Sequence, residues 1–400
     1  MTRRRALVAG MSSVLVGLLV TACGGGEEAN SESSGGAPIE INAILSLTGG
    51  AAFLGTGEMN NLKVLQDAVN ADGGVDGRDV QFNFLDDKST PAVAVQLARG
   101  LIDDGVSAFV GPSLGATCGA VAPLIQAKGP VSYCLSPVVH PAEGSYQFSA
   151  AVGSDGQFDS MANYFRSQGW SKIAYIAATD VTGQDGKAQL ERMLAAGENS
   201  DLEAVTVESY ELTDTSVAAQ AARIAQSDPD VVIAWTSGTS FGTVLNGLDQ
   251  AGVTVPVITS NANMTFEQMD EYKPFAPDSM LFSVPEWPNY ALDESGPTAD
   301  ARKQWVEALA DADYEPNATL SLSQDAGRLI IDALKAGADT PDAIQDHING
   351  LSDFPGIFGT YDFTTGDQRG ITIDNVIVAE WNKGDRLWKP VSGPAGNELK

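Results

Sequence analysis

Short apolar runs alternate with longer amphipathic segments over residues 39–260 of this 400-residue chain. Runs such as VQFNFLDD, SAFVGP, KIAYIAA and DVVIAW have the length and apolar content of buried strands. The segment between the first two runs places Val93, Leu97 and Leu101 on one face of a helix. Because strands that alternate with helices form parallel sheets covered by helices on both faces, the pattern predicts an α/β protein. The alternation restarts after a Gly/Ser/Asp break at residues 153–156, which predicts two doubly wound lobes.

The last third of the chain does not begin a third lobe. Its pattern predicts helices over residues 298–312, 319–336 and 341–349, with few strands between them. Late strands are predicted within the stretches GTYDF and ITIDNVIVAEW. We therefore expect these helices and strands to complete the two lobes that precede them.

The N-terminus has the pattern of a secretory signal peptide. Three arginines at positions 3–5 precede an apolar run that is shorter than the ~20 residues of a membrane-spanning helix. Residues 20–23, VTAC, resemble the lipobox of bacterial lipoproteins, in which the cysteine takes the lipid. We therefore predict a signal peptide over 1–22, a lipid anchor on Cys23 and a flexible Gly/Ser/Glu tether over 23–38. An ordinary signal peptide with a chance cysteine is the alternative.

The charge balance narrows the possible partners. Removal of the leader leaves 20 of the 23 basic residues against 52 acidic ones, a net charge of −32. Such a charge argues against nucleic acid as a partner and against direct adsorption to anionic lipid. No second apolar run approaches the length of a membrane span, so we expect the lipid alone to hold the protein at the outer face of the cell membrane.

Two cysteines remain once Cys23 is assigned to the lipid. Cys118 falls in the first turn of the helix after SAFVGP, and Cys134 falls near the end of the next strand. In a strand–helix–strand unit these two points lie at the same edge of the sheet, within disulfide range, and disulfides persist in an oxidising compartment. The spacing therefore favours a Cys118–Cys134 disulfide; two buried free thiols are the alternative.

The sequence contains none of the motifs sought for catalysis or metal binding. It has two histidines, His140 and His347, and it lacks HExxH, GxSxG, GxxxxGK[ST] and cysteines at metal-binding spacing. We therefore expect a binding protein and not an enzyme, with no cofactor and no metal. Turns rich in Gly and Ser follow two buried strands instead, GPSLGATCGA over 111–120 and WTSGTSFG over 235–242. A helix that begins in such a turn favours an anion such as a carboxylate, although each turn alone is equally a tight turn that needs small residues.

The opening of the folded part resembles the branched-chain amino acid binding proteins of ABC transporters, which are type I periplasmic binding proteins. The resemblance rests on LSLTGGAAFLGTGEMNNLKVLQDAVNADGGVDGRDVQFNFLDDKSTPAVAVQLARGLIDDGVSAFVGP. The shared order is a strand, T/S-G with small residues, a helix, N..GG..G, a strand with DD, a helix and G....GP. It continues through APLIQAKGPVSYCLSP, AYIAATDVTGQDG and DPDVVIAWTSGTSFGTVLNGLDQAG and closes with FPGIFGTYDFTTGD, so it covers nearly the whole chain after residue 39.

This resemblance implies a Venus-flytrap fold, in which a three-strand hinge joins two doubly wound parallel-sheet lobes. The first lobe would comprise residues 39–154 and 286–365, and the second lobe residues 155–285 and 366–400. A small solute would bind in the cleft between the lobes, at the carboxyl ends of the strands.

The resemblance also implies which residues face the solute. They are Phe53, Leu54, Ser113, Leu114, Gly115, Ser136, Val138 and His140 in the first lobe, and Thr182, Gly238 and Asn261 in the second. Leucine-binding members carry a serine where Gly115 falls, and an acidic residue that pairs with the ligand ammonium where Asn261 falls. Because a buried ammonium without a countercharge is costly, the expected solute is an amino acid-like molecule, a carboxylate or an amide. Trp235, Trp287 and His140 would suit a flat solute, or belong to the core and rim.

The expected function is that of an extracytoplasmic, lipid-anchored, monomeric solute-binding protein. It would deliver its solute to an ABC transporter permease with cytoplasmic ATPases. A ligand-sensing receptor domain that partners a signalling protein is the alternative, because the same fold serves both functions. An extracellular enzyme is a third hypothesis. Neighbouring permease and ATPase genes would favour transport, and a histidine kinase gene would favour sensing.

Replacement of the cysteine at the lipobox should block lipidation. Cys23→Ser removes the thiol that takes the lipid, so the chain should be left unanchored, uncleaved or shed. Partitioning between detergent and aqueous phases measures this. A processed Cys23→Ser protein that still enters the detergent phase like the wild type would contradict the assignment.

Overall fold

The computed structural model describes residues 36–149, 151–292 and 295–399. The predicted signal peptide (1–22), the lipidation site Cys23 and the tether up to residue 35 lie outside these ranges. At the end of the tether, Nε of Arg78 donates a 2.7 Å hydrogen bond to the carbonyl oxygen of Ala37. Among the helices in the described ranges, none combines the length and apolarity that crossing a bilayer requires.

The first part of the chain builds a five-stranded parallel sheet with the spatial order β2-β1-β3-β4-β5. Its strands are β1 (Ile39–Leu45), β2 (Val80–Asp86), β3 (Ala108–Val110), β4 (Val131–Cys134) and β5 (Gln147–Ser149), and its helices are α1 (Ala52–Ala71), α2 (Pro91–Asp103) and α3 (Gly115–Ile125). Thr90 and Pro91 take the N-cap and first helical positions of α2, where a proline is favoured. All three residues of β3 are buried, as expected where helices cover both faces of a parallel sheet.

The middle of the chain builds a second sheet in the same way. Its strands are β6 (Lys172–Ala178), β7 (Glu203–Tyr210), β8 (Val231–Trp235), β9 (Val257–Ser260) and β10 (Met280–Pro285), and its helices are α4 (Ser154–Gln168), α5 (Val181–Ala195), α6 (Ala218–Gln226), α7 (Thr239–Gln250) and α8 (Phe266–Tyr272). A short 3-10 helix, Asn261–Asn263, follows β9 directly. These five strands are mutually parallel.

The last part of the chain adds helices that pack on α1 and strands that join the second sheet. Its helices are α9 (Pro297–Asp311), α10 (Ala318–Ser321), α11 (Gln324–Lys335) and α12 (Pro341–Asn349), and its strands are β11 (Phe354–Pro355), β12 (Thr360–Tyr361), β13 (Val376–Asn382) and β14 (Leu387–Pro390). Helices α9, α10 and α11 pack on α1, while α12 packs on β4. Strands β13 and β14 extend the second sheet to the order β14-β13-β10-β9-β8-β6-β7, with both added pairs antiparallel.

The fold class is therefore confirmed: an α/β protein with two sheet-based lobes. The chain passes between the lobes after β5, after β10 and again between β12 and β13. The antiparallel strands at one edge of the second sheet are an addition to the predicted parallel pattern. They arise because β13 returns from the first lobe and lies beside β10 in the opposite direction.

Two predicted elements have different boundaries. The helix predicted over 319–336 is divided into α10 and α11 at residues 322–323. Ser323 Oγ donates to the main-chain oxygen of Glu58 at 3.0 Å and accepts from Asn61 Nδ2 at 3.1 Å, so its hydroxyl is committed to α1. The strand predicted from ITIDNVIVAEW begins only at Val376, because Ile373–Asn375 forms a 3-10 helix capped by the Thr372 hydroxyl.

Cys118 and Cys134 form a disulfide, with their Cα atoms 5.9 Å apart. Cys118 lies in the first turn of α3 and Cys134 is the last residue of β4, the two positions that the sequence indicates. Both side chains are completely buried. The bond joins the turn after β3 to the loop after β4.

Loss of this disulfide should destabilise the protein. Replacing both cysteines, in Cys118→Ala/Cys134→Ala, should lower the free energy of unfolding by about 3 kcal/mol in the chain-entropy account. Urea unfolding measures the difference, with the unreduced parent protein as the control. A thiol titration of denatured, unreduced Cys23→Ser protein should find no free thiol; two free thiols would show that the pair is not bridged.

Candidate functional site

A cavity of about 260 Å³ lies between the two lobes, at the carboxyl ends of the strands. Its first-lobe wall consists of residues 113–116 after β3, residues 135–138 after β4, and Leu54 and Leu322. Its second-lobe wall consists of residues 180–182 after β6, 235–237 at the end of β8, 260–262 at the end of β9, and Leu212 after β7. This is the edge at which doubly wound sheets bind ligands.

The first-lobe wall is centred on the turn that leads into α3. Ser113 and Leu114 precede the helix, and Gly115 and Ala116 begin it, so a helix N-terminus forms part of the wall. Thr117 does not line the cavity: its hydroxyl donates to the carbonyl oxygen of Leu114 at 3.0 Å, and it accepts from the Leu114 amide at 3.2 Å. The helix N-terminus gives this wall a partial positive charge that suits a carboxylate or carbonyl oxygen.

The side chain of Val138 lies against the Cα atom of Gly115 in this wall and leaves no room for a side chain there. A Cβ atom on Gly115 would lie 2.3 Å from Cγ2 of Val138 and 3.3 Å from Oγ of Ser136. The first distance is far below any real contact between carbon atoms. Val138 therefore occupies the volume that a side chain at position 115 would need.

Asn261 is an uncommitted polar side chain of the second-lobe wall. It is only 3% exposed, and its Nδ2 atom has no hydrogen-bond partner among the described residues. The nearby Asn263 is committed: its Oδ1 accepts from the Gly238 amide at 3.1 Å, and its Nδ2 donates to the carbonyl oxygen of Thr236 at 2.7 Å. Asn263 thus fixes the wall, while Asn261 remains available to a solute.

One carboxylate lines the cavity, that of Asp180. Its Oδ1 accepts a 2.9 Å hydrogen bond from the Gly183 amide and so caps the start of α5. Trp235 also contributes to the second-lobe wall, but its ring packs edge-on against Phe158, with ring centroids 4.7 Å apart. Its remaining surface gives the cavity an apolar patch.

Two acidic side chains lie behind the first-lobe wall, outside the cavity. Glu58 of α1 and Asp87 after β2 have no exposed surface. Glu58 Oε2 is hydrogen-bonded to the Ser113 hydroxyl, and Asp87 Oδ1 accepts from the Ser46 hydroxyl at 2.8 Å. Burial, and to a smaller extent the Asp87 charge, raises the pKa of Glu58 to about 8, against the lowering effect of the Ser113 hydrogen bond. Burial likewise raises the pKa of Asp87.

The structure brings eight of the eleven predicted solute-facing residues to one cavity. These are Leu54, Ser113, Leu114, Gly115, Ser136, Val138, Thr182 and Asn261. The sequence-based prediction missed several polar and charged members of the walls, namely Asp180, Thr236, Ser237 and Ser260. Each of these lies at or just after the end of a predicted strand, and that position was the available signal.

Three predicted residues lie elsewhere. Phe53 and Gly238 line a neighbouring groove of about 560 Å³, and they lie against each other: a Cβ on Gly238 would be 3.2 Å from the Phe53 ring. His140 lines a third cavity, of about 300 Å³, and its Nε2 is 3.2 Å from Oδ1 of Asp185 in α5. Both pairs join the two lobes at the margins of the cleft.

Trp287 belongs to the core and not to the cleft. It is completely buried, and it packs against Trp305 and Trp388 with ring centroids 6.1 and 6.0 Å away.

No metal centre is found in the described ranges, where no three His, Cys, Asp or Glu side chains are grouped so that they could hold an ion.

Comparisons with known proteins agree with this fold. A family model with the description "Periplasmic binding protein" matches residues 38–386. No curated protein matches the chain significantly.

Solved structures share the fold at low sequence identity. The branched-chain amino acid transporter substrate binding protein LivJ from Streptococcus pneumoniae, in complex with isoleucine, has a TM-score of 0.72 at 20% identity, over 88% of this chain and 99% of that chain. The leucine binding protein LivK from Thermotoga maritima gives 0.74 at 21%, over 89% and 99%. An ABC transporter solute binding protein from R. palustris, in complex with benzoate, gives 0.75 at 16%, over 90% and 97%.

A side chain at position 115 should destabilise the wall. Gly115→Ser should lower the free energy of unfolding by about 1–3 kcal/mol, because the new Cβ overpacks against Val138. Val138→Ala in the same chain should recover most of that loss. Urea unfolding measures both effects.

Gly119 in the same helix is the matched control, since a Cβ there would have nothing within 4 Å. Gly119→Ser should be neutral or slightly stabilising, because serine has the higher helix propensity. Equal stability of the Gly115→Ser and Gly119→Ser proteins would show that Val138 does not block position 115.

Proposed function

Because the chain belongs to the periplasmic binding protein family, we propose that it captures a small solute between its lobes and delivers it to an ABC permease with cytoplasmic ATPases. Membership of this family implies an extracytoplasmic location. In this proposal the protein is a monomer held at the outer face of the membrane by lipid on Cys23, with residues 23–38 as its tether.

The observation that carries the proposal is the interlobe cavity itself. Its walls come from strand ends of both sheets, so a solute that touches both walls stabilises the closed arrangement of the lobes. A ligand shifts the equilibrium between open and closed lobes only by the difference in its affinity for these two states. A solute that reaches one wall alone would therefore bind weakly.

The lining of the cavity limits the class of solute. Most of its surface is apolar, contributed by side chains such as Leu54, Val138 and Trp235. The helix N-terminus of the first-lobe wall suits a carboxylate or carbonyl oxygen. Asn261 is neutral and can both donate and accept, whereas an ammonium needs a countercharge. Asp180, the carboxylate among the described lining residues, is engaged as the cap of α5. We therefore assign the cleft to a small amphipathic acid or amide that lacks a free α-ammonium group.

The comparison structures are consistent with this range of solutes. Isoleucine is the ligand of the S. pneumoniae protein, and benzoate, which has a carboxylate but no ammonium, is the ligand of the R. palustris protein. The same fold thus accommodates solutes with and without an ammonium group. The neutral Asn261 supports the proposal that the solute of this chain is of the second kind.

The residue at position 261 should determine how tightly the cleft binds a solute that carries an ammonium group. Wild-type protein should bind leucine poorly, and Asn261→Glu should raise its leucine affinity by at least about tenfold, because a hydrogen bond to a charged group contributes about 1.5–3 kcal/mol. Calorimetric titration with leucine measures this. Asn261→Gln is the matched control, since it has the length of glutamate without the charge.

Tight leucine binding by the wild type, at micromolar concentration or below, would contradict the proposed solute class. Asp180 would then be the group that supplies the countercharge, because it is the carboxylate that lines the cavity. A loss of leucine binding in Asp180→Asn would identify it.

A further inference from the structure

A carboxyl group that solute binding does not explain lies directly behind the first-lobe wall. Glu58 has no exposed surface, although it belongs to a helix with a solvent-facing side. Its Oε2 is hydrogen-bonded to the hydroxyl of Ser113, a residue that lines the cavity, and its Oε1 has no partner among the described residues. A buried ionised carboxylate with one oxygen unpartnered is costly, so the site favours the neutral acid.

The groups that face Glu58 do not offset its charge. Ser46 lies just after β1, Asp87 lies just after β2, and Ser323 lies at the α10–α11 break, where its hydroxyl donates to the main-chain oxygen of Glu58. Asp87 is itself an acid, with Asp86 beside it. The pKa of about 8 that follows from burial leaves Glu58 protonated at neutral pH.

The proton on Glu58 determines what the Ser113 hydroxyl can do. A hydroxyl has one hydrogen to donate and two lone pairs that accept. Ser113 Oγ already accepts a 3.0 Å hydrogen bond from the Ser46 amide. When Glu58 is protonated, its Oε2–H donates to the second lone pair of Ser113 Oγ, and the hydrogen of Ser113 is free to point into the cavity. When Glu58 loses its proton to water, Ser113 must donate to Oε2, and a lone pair then faces the cavity.

We propose that Glu58 is a positioning residue, which sets whether Ser113 offers the solute a hydrogen-bond donor or an acceptor. This inference rests on the proposed function only in that the cavity binds a solute. A carboxylate solute has only acceptors, so Ser113 can donate to it only when Glu58 is protonated. A neutral amide has both donors and acceptors and tolerates either form. The cleft therefore selects for carboxylates in neutral and acidic surroundings and loses that preference in alkaline ones.

Calorimetric titration with benzoate and benzamide, two probes of nearly equal shape, tests the proposal. Between about pH 7 and about pH 9 the benzoate affinity of wild-type protein should fall about tenfold, because only the protonated fraction offers benzoate the Ser113 hydrogen as a donor. The benzamide affinity should change less than about twofold over the same range. Glu58→Gln, which cannot ionise, should keep its benzoate affinity at both pH values.

Asp87→Asn is the matched control. It removes a neighbouring buried acid but leaves Glu58 and Ser113 in place, so the pH dependence of benzoate binding should persist. Its midpoint should move to lower pH, because the Asp87 charge helps to raise the pKa of Glu58. A wild-type benzoate affinity that is flat between the two pH values, or a Glu58→Gln protein with an unchanged pH profile, would overturn the proposal. If Glu58→Gln does not fold, the number of protons that wild-type protein takes up when it binds benzoate decides the question. Calorimetry in two buffers of different ionisation enthalpy measures that number.

Unfolding measurements without solute test the role of Glu58 independently of the proposed function. If neither probe binds at any pH, the assigned solute class fails, while Glu58 can still be tested through folding. The coupling between Glu58→Gln and Ser113→Ala, from a double-mutant cycle of urea unfolding, should change across about pH 8. Because the folded state keeps its proton to higher pH, wild-type stability should fall relative to Glu58→Gln as pH rises toward about 8. A coupling that does not change with pH would refute the role of Glu58.

Discussion

The shape of the cleft depends on one buried guanidinium group, that of Arg369. This residue is only 6% exposed and lies on the passage of the chain from β12 to β13. It donates to the carbonyl oxygens of Ala151 (2.6 Å), Pro137 (3.0 Å) and Val139, and to the hydroxyl of Ser149 (3.3 Å). A buried guanidinium is tolerated only when its donors are satisfied, so these segments are held in one arrangement. The loop that carries wall residues 135–138 is thereby tied to a strand-to-strand passage between the lobes.

The two walls of the cavity follow the same construction with different chemistry. In each, a backbone turn at the end of a strand faces the solute, and a buried side chain behind the turn fixes it. Asn263 does this for the second-lobe wall, and the Ser46–Ser113–Glu58 hydrogen bonds do it for the first. Because the rest of the lining is largely apolar, a few polar atoms determine which solute fits.

The sequence predicts the lobes well because hydrophobic alternation directly reports which faces of strands and helices are buried. The rule that ligands bind at strand ends then locates most of the cavity. The features that the sequence does not predict depend on contacts between residues far apart in the chain. The break before α11 arises from hydrogen bonds between Ser323 and α1, which no local pattern encodes. Glu58 is a charged residue whose burial follows only from the packing of Ser113 and Asp87 around it. Phe53 and Gly238 lie beside each other in the neighbouring groove, a proximity between residues far apart in the chain that no local pattern encodes.

The redox state of the compartment determines whether the two parts of the first-lobe wall are joined by the disulfide. The disulfide joins the start of α3 to the end of β4, and residues 113–116 and 135–138 of the first-lobe wall lie beside its two ends. Because the cytoplasm keeps thiols reduced, this covalent link persists only in the extracytoplasmic location that the family implies. The two parts of the wall are therefore joined covalently only there.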